Sequence, residues 1–203
     1  CWNYIRYFEN LIFYTADIKH SQQYEKEKEV YRDKAMGLLN EESEEYRKEL
    51  AHKLQEDGRL PEAEKILLPV FYNQTPQTHG YAMAAMNLAK LYCQAGEEET
   101  ENYYLIIAAI TDIELAVKEN EALLSLAVKL YEKGDIDRAY EYIRVALDDA
   151  LFYNARFKNS VIARVQPIIE DTYLQKIYSQ QKNLKNYSIV TSLFALVLII
   201  TLF

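Results

Sequence analysis

The sequence predicts an all-α protein, built as a stack of helical hairpins and followed by a long helix that enters a membrane. The 203 residues include only five Gly and four Pro, which favours long helices over strands and turns. A Gly also recurs at even spacing, each time at the end of a helical pattern. The last segment, 187–203, carries no charge and is apolar on nearly every side of a helix.

The first segment, residues 1–40, is predicted to be a helical hairpin, interpreted as a degenerate repeat. Residues 2–18 read as an aromatic-rich helix. A polar break is predicted at 19–23, and a second helix then runs to about Leu39. The run 25–29 (EKEKE) is predicted to be a solvated face of this second helix.

Three longer hairpins are predicted over residues 41–157 from a repeat that the evenly spaced Gly58, Gly96 and Gly134 mark. At four fixed offsets from each Gly the side chains agree in size and polarity: Leu50, Leu88, Leu126; Ala51, Ala89, Ala127; Leu54, Tyr92, Leu130; and Leu67, Leu105, Ile143. The Ala lets two helices approach closely, and the Gly supplies a left-handed turn after the first helix. At a fifth offset Glu101 replaces the small Ala63 and Ala139, which predicts looser packing in the middle hairpin. The predicted helix pairs are 41–57 with 60–73, 80–95 with 98–118, and 120–133 with 136–157.

These small residues, Gly turns and apolar residues resemble the tetratricopeptide repeat, whose usual period of about 34 residues is slightly shorter than the one here. The resemblance implies a solenoid in which the first helix of each hairpin lines a concave groove. Helical arrays of other families are the alternative. The matching outward positions, predicted to bind a protein or peptide segment, are Lys48, His52, Met86, Lys90, Leu124, Val128 and Tyr131. Tyr is abundant, at 18 residues, and either fills half-buried positions or lines a recognition surface.

The C-terminal part is predicted to be a juxtamembrane helix, 158–186, leading into a truncated transmembrane helix, 187–203. Within this segment a short break is predicted at 158–160 and the helix itself at 162–186, with Pro167 expected near its first turn. The apolar segment would span about 26 Å, against about 30 Å for a hydrocarbon core. A buried C-terminal core helix is the alternative.

The composition excludes several function classes. Residues 1–153 carry a net charge of −12 and residues 154–186 a net charge of +4, so the main body is a poor nucleic-acid surface. His20, His52 and His79 lie in separate units without a partner at metal-ligand spacing. No phosphate loop or nucleophile motif is present. We therefore expect no enzymatic activity, no cofactor and no metal.

Five sequence runs carry a more specific resemblance: 107–113 (IAAITDI), 130–135 (LYEKGD), 137–140 (DRAY), 154–156 (NAR) and 167–169 (PII). They resemble a Bacteroidetes-type family of uncharacterised membrane proteins, over residues 80–203 well and over the preceding part of the chain loosely. That family is similar to exported tetratricopeptide arrays with one membrane helix and a cytoplasmic regulatory region. No site residue is established for it.

The family resemblance implies a single-pass protein of the bacterial inner membrane, with residues 1–186 in the periplasm as the sensing part of a signalling or transcription regulator. Lys182 and Lys185 precede the membrane helix, however, and positive charge favours the cytoplasmic side. Two other hypotheses remain: a membrane-tethered assembly scaffold without signalling, and the input domain of a histidine kinase.

Overall fold

The structure, a computed structural model, describes residues 1–14, 18–118, 121–152 and 156–202. These ranges contain nine α-helices and no strand, as the all-α prediction requires. The helices are α1 Trp2–Tyr14, α2 Ile18–Met36, α3 Glu44–Glu56, α4 Leu60–Tyr72, α5 His79–Ala95, α6 Glu98–Glu114, α7 Glu121–Glu132, α8 Ile136–Phe152 and α9 Arg156–Leu202. The chain divides into two compact units, Cys1–Val117 and Lys118–Phe203.

The first unit, 1–117, consists of three hairpins in which α1 packs on α2, α3 on α4 and α5 on α6, while α4 also packs on α5. The predicted small residues are buried in the core, since Ala51 and Ala63 are 0% exposed and Ala89 is 1% exposed. Looser packing around Glu101 is not observed, because Glu101 is itself buried and the neighbouring Leu105 is 2% exposed. The repeat positions therefore form the core of this unit.

Nearly identical left-handed turns end the first helices α3, α5 and α7. The φ angles of Gly58, Gly96 and Gly134 are +75°, +74° and +80°. In each turn the N–H of the residue after the Gly donates to a carbonyl in the last turn of the helix, at 2.8 or 2.9 Å. This satisfies a carbonyl that the helix end leaves unpaired. The three evenly spaced Gly residues therefore adopt the same turn geometry in each repeat.

A fourth turn of the same kind ends α6, but here the left-handed residue is Ala116, with φ of +53°. Its neighbour Val117 donates to the carbonyl of Asp112 at 2.8 Å, and Ala116 donates to Ile113 at 3.1 Å. The Cβ of an L-residue is crowded in this conformation, at a cost of about 1–2 kcal/mol. Helix α6 therefore ends in a locally strained turn.

Exchanging Gly and Ala at two of these turns is expected to change stability in opposite directions. Ala116→Gly removes the strain and should raise the free energy of unfolding by about 1 kcal/mol. Gly96→Ala introduces the same strain and should lower it by about 1 kcal/mol. An added Cβ at Gly96 meets nothing within 4 Å, so the effect there comes from the backbone alone. Urea unfolding followed by far-ultraviolet circular dichroism measures both; changes of the same sign would contradict the assignment.

The second unit, 118–203, is a hairpin of α7 and α8 against which the first part of α9 packs. Its core combines Ala127 and Ala139, both 0% exposed, with Ile143 of α8 and Ile162 and Ile169 of α9. The repeat predicts the burial of Ala127, Ala139 and Ile143, and the structure agrees. Ile162 and Ile169 are two helical turns apart and lie on one face of α9, which fixes its position on the hairpin.

Several predicted boundaries are wrong. Helix α2 already begins at Ile18, so no break occurs at 19–23, and α9 begins at Arg156, so none occurs at 158–160. Both runs are polar but contain neither Gly nor Pro, and polarity alone does not end a helix. Pro167 lies well inside α9 rather than in its first turn, and there it removes one backbone hydrogen bond. The predicted helix parts at 15–17, 120, 153–155 and 203 lie outside the described residues.

Candidate functional site

The seven predicted binding positions include two rows with one member in each repeat, and the two rows differ in burial. In the first row Met86 and Leu124 are each only 8% exposed, and the Lys48 side chain, ion-paired to Glu44, is 29% exposed. The expectation that Met86 and Leu124 point outward is therefore wrong, because hairpin packing covers them.

The second row, at 52, 90 and 128, is more accessible. The His52 side chain is 50% exposed, Lys90 is exposed and Val128 is half-buried. His52 on α3 and Lys90 on α5 belong to the first unit, and Val128 to the second. Tyr131 is half-buried against the core of the second unit. Of the predicted positions in the first unit, His52 and Lys90 are thus the exposed ones.

An aromatic cluster on α4, α5 and α6 surrounds Tyr104 inside the first unit. The ring of Phe71 lies 5.3 Å from that of Tyr104 and 4.8 Å from that of Tyr81. The ring of Tyr92 stacks on Tyr104 at 5.6 Å, and its hydroxyl donates to Glu64 at 2.6 Å. Tyr92 and Tyr104 are 6% and 5% exposed, so these two tyrosines fill buried positions.

Burial raises the pKa of Tyr104 to about 12, and the adjacent Tyr72 phenol adds to the shift. Burial and the hydrogen bond to Glu64 likewise raise the pKa of Tyr92 above its usual range. Both phenols stay protonated near neutral pH and can act as hydrogen-bond donors. The cluster is therefore part of the packing between hairpins, with Tyr72 and Tyr103 exposed at its edge.

A buried group of charges joins α2 to α3. The Arg32 side chain is only 1% exposed. Its guanidinium contacts both carboxylate oxygens of Glu56, with Nη2 to Oε1 at 3.1 Å, and its Nη1 donates to Glu29 at 2.6 Å. The Lys28 ammonium, 6% exposed, lies 3.2 Å from Glu56. Glu49 of α3 lies 3.8 Å from the Arg32 Nε. The run 25–29 is therefore not simply a solvated face, since Lys28 and Glu29 belong to this network.

The network shifts the pKa values of its carboxylates in opposite directions. Burial alone would raise the pKa of Glu56, but hydrogen bonds from His52 and Arg32, with the positive charges of Arg32 and Lys28, hold it well below its ordinary 4.5. Burial raises the pKa of Glu49. Glu56 is thus ionised throughout the physiological range and pairs with both buried cations, Arg32 and Lys28.

Helix α9 leaves the body of the second unit after Ile177, and every residue from Tyr178 to Thr201 is exposed. Val165–Thr201 is the one candidate membrane span that the described residues contain, by length and composition, with none of its most apolar window buried. The predicted alternative of a buried core helix is wrong, because Leu193 and Phe194 are 59% and 69% exposed. The apolar surface is available to lipid.

The family follows from a comparison with family models. A model described as the SusR N-terminal TPR domain matches residues 1–164. The chain belongs to this family. The match spans α1–α8 and the start of α9, so the region before position 80, where the sequence resemblance was only loose, is part of the TPR domain. No curated protein and no solved structure matches the chain.

Membership of the SusR N-terminal TPR family indicates what the hairpins do in general: TPR domains typically bind protein partners and are not catalytic. Within the described parts of this TPR domain, no three His, Cys, Asp or Glu side chains lie close enough to hold a metal ion.

The buried Arg32 network was missed by sequence reasoning. The only sign of it in the sequence is that α2 carries Lys28 and Arg32 at a spacing of four residues, while α3 carries Glu49 and Glu56 at a spacing of seven, so that each pair lies on one face of its helix.

Proposed function

We propose that this chain is the partner-binding, membrane-anchored part of a bacterial transmembrane signalling or transcription regulator, with residues 1–186 in the periplasm. The TPR domain supports a protein- or peptide-binding role. The exposed apolar end of α9 supports anchoring in the inner membrane. A cytoplasmic regulatory region following the membrane helix would receive the signal.

The observation that carries the proposal is the continuity of α9. One helix of 47 residues, Arg156–Leu202, packs on the α7–α8 hairpin and continues into the apolar segment. Its contacts with α8 include the stacked rings of Tyr140 and Tyr173, 4.0 Å apart, and the Lys176–Asp137 ion pair at 2.6 Å. Because a helix transmits rotation along its axis, a rearrangement of the hairpin would turn the membrane segment with it. A flexible tether would not need such a joint.

The binding positions that we propose are His52 and Lys90 in the first unit and, in the second unit taken by itself, the half-buried Val128. Lys48, Met86, Leu124 and Tyr131 would support them from half-buried or buried positions. A partner that binds two hairpin conformations equally well would produce no signal, since a ligand shifts an equilibrium only through its differential affinity for two states.

The rotational coupling can be tested by insertions after Gln181, in the exposed part of α9, in cells that make the complete natural protein. Two inserted alanines turn the membrane segment by about 200° relative to the hairpin, whereas seven restore its direction to within about 20°. Transcripts that change on deletion of the gene are the readout. We expect the two-residue insertion to mimic deletion and the seven-residue insertion to resemble the wild type, with both proteins in the membrane fraction.

The same readout tests the binding row. His52→Ala combined with Lys90→Ala should lower the response, while Lys65→Ala, on an exposed position of α4, should not. If deletion changes no transcript, or if both insertions behave as the wild type, the signalling proposal fails. The alternative, a membrane-tethered assembly scaffold without signalling, then remains.

A further inference from the structure

Helix α6 carries an apolar stripe that faces solvent. Tyr103, Ile106, Ile110 and Ile113 recur at steps of three and four residues and therefore lie on one face. They are 60%, 47%, 50% and 56% exposed. The stripe extends about 15 Å along the helix. Four exposed large side chains in one row on a 17-residue helix exceed the scattered apolar residues of an ordinary surface.

The fold does not require this stripe for packing within the hairpin. The other side of α6 already contacts α5 through residues such as Leu105 and Ala108, which are 2% and 1% exposed. Tyr104, directly beside Tyr103, belongs to the buried aromatic cluster. The exposed stripe is therefore not needed for the contact between α5 and α6.

The repeat itself shows that these positions face solvent. The equivalent positions in the next repeat, on α8, are Glu141, Arg144, Asp148 and Leu151. Glu141 and Arg144 form an exposed ion pair at 3.1 Å, with side chains 57% and 59% exposed. If the row served the stacking of one hairpin on the next, charged residues would not occupy it in α8. Three of the four equivalent positions on α8 are charged, so α6 carries a continuous apolar row and α8 does not.

The charges around the stripe indicate what covers it. Helix α6 contains five acidic residues and no basic one. Exposed Glu99 and Glu114 lie at the two ends of the stripe. A second copy of α6 would place carboxylates against carboxylates in either orientation, which disfavours self-association. A partner helix with basic residues at its ends would instead meet opposite charges.

We propose that the α6 stripe, Tyr103, Ile106, Ile110 and Ile113, docks an amphipathic helix of another protein, with an apolar seam of about three turns and Lys or Arg at both ends. Apolar anchors in a helix contact supply most of its affinity, and the flanking charges set orientation and partner choice. This face is distinct from the row at His52 and Lys90. The two surfaces can therefore bind different partners.

Site-specific photocrosslinking in cells that make the natural protein tests the docking surface. Benzoylphenylalanine replaces Ile106, and the same group replaces Arg144, the matched exposed position on α8, as the control. We expect a protein adduct at 106 that is absent at 144, with the crosslinked segment an apolar-seamed helix flanked by Lys or Arg. An adduct with a second copy, with lipid, or with a segment lacking basic flanks overturns the proposal, as does a yield no higher than at 144.

Two variants separate the apolar and the charge contributions. Ile110→Glu with Ile113→Glu should lower the adduct yield at 106 about tenfold. Glu99→Lys with Glu114→Lys should lower it about fivefold, because rim charges steer association. All four positions are exposed, so circular dichroism should report unchanged folding. An unchanged yield in either variant contradicts the proposal, whatever the result of the α9 insertions.

Discussion

Replacing Leu193 and Val197 by Lys is expected to move the protein from the membrane fraction to the soluble fraction. Each substitution exchanges an apolar residue, worth about −0.3 to −0.6 kcal/mol at the centre of a membrane helix, for a Lys costing about 2.5–3.5 kcal/mol. The double change therefore costs about 6–8 kcal/mol. The large apolar residues of 187–203 together supply only about −3 to −7 kcal/mol, so insertion becomes unfavourable. Alkaline extraction and sedimentation measure the distribution.

A matched control places the same two charges elsewhere on α9. Leu174→Lys with Tyr178→Lys changes side chains that are 56% and 72% exposed and lie before the apolar segment. This variant should remain in the membrane pellet. Retention of the Leu193→Lys and Val197→Lys protein in the pellet after alkaline extraction would show that another part of the molecule anchors it.

Replacing Arg32 by Met is expected to lower the free energy of unfolding by about 2–4 kcal/mol. Removing one member of a buried ion pair typically costs about 3–5 kcal/mol, because the remaining charge is left uncompensated. Here the Glu56 side chain is 36% exposed, which lets water screen part of the loss and lowers the expected range. Lys28 also stays beside Glu56. Urea unfolding at neutral pH measures the difference.

The same variant should show a defined pH dependence. The folded-state pKa of Glu56 is depressed below its ordinary value of 4.5, so its contribution is fully present above about pH 4.5. It is lost as the pH falls through the folded-state pKa. The stability difference between the wild type and Arg32→Met should therefore be constant near neutrality and shrink under acid conditions. Burial raises the pKa of Glu49 and the Arg32 charge lowers it, so the loss of Arg32 acts on Glu49 in the same direction and adds to the decrease.

An exposed ion pair provides the control for Arg32. Lys53 and Asp33 are 2.9 Å apart, with side chains 37% and 64% exposed. Lys53→Met should cost about 1 kcal/mol or less, since exposed pairs contribute little. Equal losses in Lys53→Met and Arg32→Met would mean that burial of the Arg32 guanidinium adds nothing to the stability of the first unit.

The repeat made most of the fold predictable. Gly58, Gly96 and Gly134 are positions where one residue type is strongly preferred by the backbone, and each identified a helix end correctly. Ala51 and Ala89 were predictable as contact points for a similar reason, because only a small side chain fits between close helices. Where the backbone or the spacing of helices allows only one or two residue types, those residues recur in each repeat and can be recognised from one sequence.

Other features leave no such pattern. Ala116 adopts the left-handed turn without being Gly, so the end of α6 could not be located from composition. Arg32 is a long charged residue that is ordinarily exposed, and only its tertiary partners bury it. Met86 and Lys90, one turn apart on α5, differ in burial through the packing of neighbouring helices. The α6 stripe was missed because the apolar residues of that helix were not separated into a buried and an exposed face.

With Tyr187–Thr201 in the bilayer, the exposed residues 178–186 of α9 become a rigid spacer about 13 Å long. Electrostatic interactions in physiological salt decay over about 8 Å. Residues 118–152, the α7–α8 part of the second unit, carry eight carboxylates and five basic groups. Such a spacer would hold this acidic hairpin beyond the range at which anionic lipid headgroups would repel it, and would insulate its conformation from the lipid composition of the membrane.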